Sequence, residues 1–125
     1  MLDDGAPLFA QIADTLANQI ADGTLGEGDR APSSNELSAY YRINPATAVK
    51  GINVLVDQGL LTKVRGIGMF VAVGARQQLL QQRRAHFVTD YVEPLLQEAS
   101  RLAMTSEEVL ALVRQAIQSQ GGGEE

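Results

Sequence analysis

Ala46, Thr47 and Lys50 fall on one side of a segment of helical period, opposite Ala48, Ile52, Leu55 and Val56. A lysine amine can donate to guanine O6 and N7 or to a phosphate, and a threonine or alanine methyl can meet the methyl of thymine. Asn53, Val54 and Asp57 share that outer side. Upstream, Ser33-Ser34 opens a shorter segment whose first backbone N–H groups point outward, where a phosphate oxygen is readily held. Downstream, Lys63 and Arg65 stand beside Gly66 and Gly68, and an arginine on such a tight turn can reach a duplex backbone or a minor groove. Taken singly, these are a solvated helix face, a helix cap and a hairpin turn. Their order along the chain is what gives them a joint meaning.

Catalysis and metal binding have little to work with. The chain has no cysteine and one histidine, His86, so thiol nucleophiles, disulfides and a His-rich metal cluster are absent. The paired carboxylates Asp3/Asp4 and Glu124/Glu125 lie at the ends, no nucleophile–base–acid set is evident, and no cofactor is expected. Arg65-Gly66-Ile67-Gly68 precedes a strand-like run rather than a helix, which removes it as a nucleotide-binding loop. The net charge of −5 argues against nucleic acid only on average. From Ser33 to Ala72 the bases are Arg42, Lys50, Lys63 and Arg65 and the acids Glu36 and Asp57, a balance of +2. The 45% apolar and 20% charged composition is that of an ordinary globular protein. No apolar run is long enough for a bilayer, and Met1-Leu2-Asp3-Asp4 is acidic where a secretory leader is basic, so a cytoplasmic protein without a membrane partner is expected.

The elements that must position these residues can be read in order. Leu8, Ile12, Leu16 and Ile20, widened by Phe9 and Ala13, predict a helix from Leu8 to about Ala21, with Pro7 in its first turn and Gly23 as its stop. Residues 23–32 read as a loop anchored by Leu25. A short helix starts at Ser33 or Ser34, with Glu36 completing a capping box, and ends at Tyr40 or Tyr41. Asn44-Pro45 restarts a helix that runs to about Gln58, with Gly59 as its stop, which makes a helix-turn-helix. Residues 60–64 and 69–73 then form a β-hairpin. Gly51, inside the recognition helix, costs about 1 kcal/mol relative to alanine and is tolerable where a neighbouring helix packs close to it. The fold class expected is mostly α with a small β-hairpin, an N-terminal winged helix-turn-helix over residues 1–73.

Residues 74–125 read as a short helical dimerisation segment with a flexible tail from Gly121. Pro94 interrupts its apolar 3/4 spacing and predicts a bend, and Thr105-Ser106-Glu107-Glu108 is a second capping box. Val88, Tyr91, Val92, Leu95 and Leu96, with Val109, Leu112, Val113 and Ile117, form stripes that two helices can bury only against something else. A second copy of the chain is the economical partner.

Pro7-Leu-Phe-Ala-Gln-Ile12, Ile20-Ala-Asp-Gly-Thr-Leu25, Ala31-Pro-Ser-Ser-Asn-Glu-Leu37, Asn44-Pro-Ala-Thr47, Gly59-Leu-Leu61 and Arg65-Gly-Ile-Gly-Met-Phe-Val71 resemble the GntR family of bacterial transcription regulators. Asn44-Pro45 and the short C-terminal segment are similar to its YtrA-type subfamily. The resemblance implies a homodimer on a palindromic double-stranded DNA operator, usually as a repressor, with Ser33, Ser34, Asn35, Asn44, Ala46, Thr47, Lys50, Lys63, Arg65 and Gly66 at the DNA. The family usually has leucine where Ala31 stands, valine where Ala48 stands and arginine where Asn35 stands. That arginine helps hold DNA, so weaker binding or altered specificity is expected here. A small-molecule effector between subunits stays open. The alternative reading is a helical interaction module whose winged domain binds a protein, supported by the acidic net charge.

Overall fold

The structure, a computed structural model, describes residues 6–121 of the 125-residue chain. The chain forms two compact units, one through Arg83 and one from Arg84 onward.

The first unit opens with α1 (Leu8–Ala21), which buries Ile12, Ala13, Leu16, Ala17 and Ile20. Helix α2 (Ser34–Tyr41) begins in the expected capping box. The Glu36 N–H donates to Ser33 Oγ at 3.1 Å, and the Ser33 N–H donates to Glu36 Oε1 at 2.8 Å. Arg42 follows at φ +58°, the left-handed conformation that reverses the chain, and Ser38 Oγ closes the turn by donating to the Ile43 carbonyl at 2.6 Å. Helix α3 (Pro45–Asp57) starts from the Asn44 side chain, which accepts the Ala46 N–H at 2.8 Å. Strands β1 (Leu61–Val64) and β2 (Gly68–Val71) pair antiparallel, Leu61 opposite Val71 and Val64 opposite Gly68. Ile12, Leu16, Ile20, Leu37, Ala48, Ile52, Leu55, Leu60, Leu61 and Val71 make one core, with Leu25 packed at its edge. Each fully buried leucine or isoleucine contributes about 1.5–3 kcal/mol.

Gly51 is where α3 meets α1. A Cβ there would stand 2.9 Å from the Phe9 carbonyl oxygen and 3.0 Å from Ile12 Cβ, so the missing side chain sets the closeness of the helix pair.

Two expectations change. Residues 28–31 are not simply a loop. The Gly28 N–H donates to the Val71 carbonyl, the Val71 N–H to Asp29, and the Ala31 N–H to Met69, at 2.8, 2.9 and 2.8 Å. This stretch therefore lies along the open edge of β2, with Arg30 opposite Phe70. The first unit also does not stop at residue 73. Ala75 and Leu79, on α4 (Ala75–Ala85), are buried in its core. Arg76 Nε donates to the Ala21 carbonyl and Gln78 Nε2 to that of Gln58, both at 2.9 Å, which ties the start of α4 down.

The second unit holds a π-helical turn (Val88–Val92), α5 (Glu93–Arg101) and α6 (Ser106–Gly121). The Glu93 N–H reaches back five residues to the Val88 carbonyl. This widened turn stands directly before Pro94, whose ring would otherwise clash with the carbonyl four residues before it. Helix α5 ends with the Met104 N–H on the Ala99 carbonyl and the Ala103 N–H on that of Ser100, both at 3.0 Å, with Ala103 at φ +59°. Glu108 and Thr105 form the second capping box at the head of α6. Among the described residues of this unit only Ala99 is buried. Gly121 ends α6, and the rest of the expected tail lies outside the described residues, as do Asp3, Asp4, Glu124 and Glu125.

Candidate nucleic-acid interface

The helix-turn-helix and the hairpin enclose a groove of about 440 Å³ on one face of the first unit. Ser33 and Ser34 line it from the head of α2, Val49, Ile52 and Asn53 from α3, and Lys63, Gly66, Gly68 and Met69 from the hairpin. Arg30 closes it from the stretch bridged to β2. Four of the residues singled out in the sequence, Ser33, Ser34, Lys63 and Gly66, are thus brought together although up to 33 positions separate them.

The others are placed around this groove rather than in its lining. Ala46 is exposed and Thr47 half-buried on the first turn of α3, and Arg65 is exposed on the hairpin turn. Asn35 is exposed on the first turn of α2. Asn44 acts on its own backbone, since its side-chain oxygen is held by the Ala46 N–H. Lys50 leans the other way. Its Nζ lies 4.2 Å from the centroid of the Phe9 ring, a cation–π contact with α1.

Electrostatically the face is open to an anion. Among the described residues the one ion pair is Glu98 with Arg101, in the second unit, so Arg30, Lys50, Lys63 and Arg65 have no carboxylate partner there. Glu36, the acid nearest the head of α2 in sequence, is occupied. The Ser33 backbone N–H holds its carboxyl below the usual range, with the Ser33 hydroxyl and the charge of Arg30 acting the same way. No group of metal-ligating side chains occurs among the described residues, and none of their helices is long and apolar enough to cross a membrane.

Residues 8–71 match the model of the bacterial regulatory proteins of the GntR family. The chain belongs to the GntR family. That span covers every element of the groove and stops at the last residue of β2. Transcriptional regulators resemble this chain beyond the winged unit as well. A helix-turn-helix-type transcriptional regulator of Bacillus subtilis, YhcF, is 26% identical over 104 residues, 83% of this chain and 84% of its own. A GntR family transcriptional regulator from Listeria monocytogenes has a structure matching 91% of this chain and 98% of its own, at 25% identity and a TM-score of 0.73. The DNA-binding domain of AraR, solved in complex with operator ORR3, matches 58% of this chain and 87% of its own, at 33% identity and a TM-score of 0.53. Several curated repressors that match are much longer proteins, of which this chain spans 31 to 34%. This GntR chain is therefore a DNA-binding transcriptional regulator rather than an enzyme, a mostly helical protein carrying a two-stranded hairpin.

Arg30, Val49 and Asn53 belong to the groove but do not stand out in the sequence as DNA-facing residues. Asn53 carried a signal, its place on the outer side of α3. Gly68 carried one for Arg30, because a glycine at the start of a strand marks a close approach.

Proposed function

We propose that the chain is a homodimeric repressor of the YtrA type, which acts by occupying a palindromic operator. The observation that carries this reading is the pairing of an unneutralised groove in one unit with uncovered apolar helix faces in the other. Tyr91 is 68% exposed and Ile117 64%, and Val88, Leu95, Leu96, Leu112 and Val113 are exposed with them. Val92 and Val109 are half-buried. Leaving that much apolar surface in water is costly at roughly 25 cal/mol per Å². A second copy covers it with the same surface, a twofold arrangement that matches a palindromic site.

In this reading α3 enters the major groove by its first turns. Ala46 and Thr47 meet base edges, and Lys50 swings from Phe9 to a phosphate or to guanine. The N–H groups behind Ser33 and Ser34 hold a backbone phosphate, and Arg65 with Gly66 follows the adjacent minor groove. Asn35 and Asn44 lie beside these positions, and Lys63 adds positive charge. Repression follows from excluding other proteins from the occupied site.

The test is fluorescence anisotropy of the purified chain against duplexes from upstream of its own gene and its neighbours, across a salt series, with light scattering for mass. Tight binding to one fragment that weakens steeply with salt, by a particle of two chains, supports the reading. A monomer at all concentrations removes the dimer, and equal binding to every fragment removes the operator.

A further inference from the structure

Asn35 stands exposed at the head of α2, and no residue of that helix is basic. The groove beside it nevertheless contains a guanidinium, supplied from outside the helix-turn-helix. Arg30 is held by hydrogen bonds on either side of it along the edge of β2, from the Val71 N–H to the Asp29 carbonyl and from the Ala31 N–H to the Met69 carbonyl. Its side chain lies across Gly68. A Cβ at residue 68 would come within 3.0 Å of Arg30 Nε, 3.4 Å of Nη2 and 3.6 Å of Cζ. The same groove is lined by Ser33, Ser34, Asn53 and Lys63. Glu36 feels the charge of Arg30, yet its carboxylate is engaged by the Ser33 N–H at 2.8 Å and no ion pair forms.

We propose that Arg30 is a phosphate-binding residue of the DNA interface, gripping the duplex backbone beside the head of α2. A guanidinium suits the role because it stays charged at all relevant pH and presents a planar fork of donors to two phosphate oxygens. It lies across Gly68 and is exposed, so its donors are open to a phosphate. Arg30 stays in place through pairing to the hairpin, and Gly68 is the residue that leaves room for it. The inference rests on the DNA-binding reading above and adds a residue to it.

Anisotropy is measured with a duplex enriched by the wild-type chain from a randomised pool, and with a scrambled duplex of the same length. Arg30→Gln keeps the length and polarity of the stem and removes the charge. It is expected to weaken binding roughly tenfold on both duplexes and to flatten the salt dependence by about 0.9 for each phosphate no longer neutralised. Arg30→Lys is expected to retain most of the slope. Thermal melts identify a variant that has merely loosened the fold. Unchanged affinity and slope in Arg30→Gln overturn the inference while the DNA-binding reading stands. A loss confined to the enriched duplex, or a lowered melting temperature with the slope intact, overturns it too, by making Arg30 a base reader or a packing residue. A wild-type chain that enriches no duplex removes the parent reading and this inference with it.

Discussion

The ammonium of Lys50, on the outer face of α3, stands 4.2 Å above the ring of Phe9 on α1. An exposed interaction of this kind is worth about 0.5–1 kcal/mol. The one basic residue of α3 is therefore parked against the neighbouring helix in the free protein, at a cost small enough for a phosphate to outcompete. Lys50→Ala is expected to weaken operator binding by roughly five- to tenfold and to lower the salt slope by about one phosphate per chain, with the mass of the particle unchanged. Phe9→Leu, which keeps the burial and removes the ring, is expected to leave binding within about twofold, since the cation–π attraction is weak beside a phosphate. Salt-series anisotropy on both variants separates the two roles, and equal losses would show that Lys50 serves the helix pair and not the DNA.

The close crossing of α1 and α3 gives a prediction about stability. Gly51→Ala removes an unfavourable helix residue, a gain of about 1 kcal/mol by propensity alone. The added methyl, however, meets the Phe9 carbonyl oxygen at 2.9 Å, and that oxygen belongs to backbone that cannot rotate away. Overpacking of this sort costs about 1–3 kcal/mol. The net result expected is destabilisation, read as a lower midpoint in urea with an unchanged slope. A higher midpoint would mean that the helices separate more freely than their packing suggests.

Glu36 gives the chain a dependence on pH. Its carboxyl is held below the ordinary glutamate range, first by the Ser33 backbone N–H and then by the Ser33 hydroxyl. A depressed folded-state value means stability present above the unfolded glutamate value and lost as pH falls through the folded one. Glu36→Gln retains the shape of the capping box without the titration. The wild type is expected to melt higher than Glu36→Gln at neutral pH, and the gap to close as pH falls through the acid range below the ordinary glutamate value. A gap that does not change with pH would remove the charge from the explanation.

Ala103 carries a residue-specific strain. It adopts φ +59° at the end of α5, within a pair of hydrogen bonds from the Ala103 and Met104 N–H groups to the carbonyls of Ser100 and Ala99. This terminating motif favours glycine at that position, and the left-handed conformation costs an L-residue about 1–2 kcal/mol. Part of that cost is offset because glycine has more freedom to lose from the unfolded chain. Ala103→Gly is expected to stabilise by about 0.5–1 kcal/mol, seen as a higher melting temperature with DNA binding unchanged. A lower melting temperature would mean that the methyl group packs usefully.

Much of the architecture was legible because its signals are local. Ser33 with Glu36, Asn44 with Ala46, and Thr105 with Glu108 sit three or fewer residues apart, and each pair marks a helix start through hydrogen bonds that need no other part of the chain. The apolar period of α1 and the inner face of α3 follow from the geometry of a single helix, whereas the reason for Gly51 needed the α1 crossing to be seen. These determined the order helix, helix-turn-helix, hairpin, helices, and with it the family. What tertiary structure alone decided involves partners dozens of residues apart. Arg30 reaches the groove only because residues 28–31 lie along β2, some forty positions later. Ala75 and Leu79 complete the first core and carry its edge to Arg83, past the residue where the hairpin's own pattern ends. Lys50 turns to Phe9 because the α1–α3 crossing puts an aromatic face within its reach. A sequence states what each segment favours along its own length. Which segments meet is set by the shared burial of all of them, and that is a property of the folded chain.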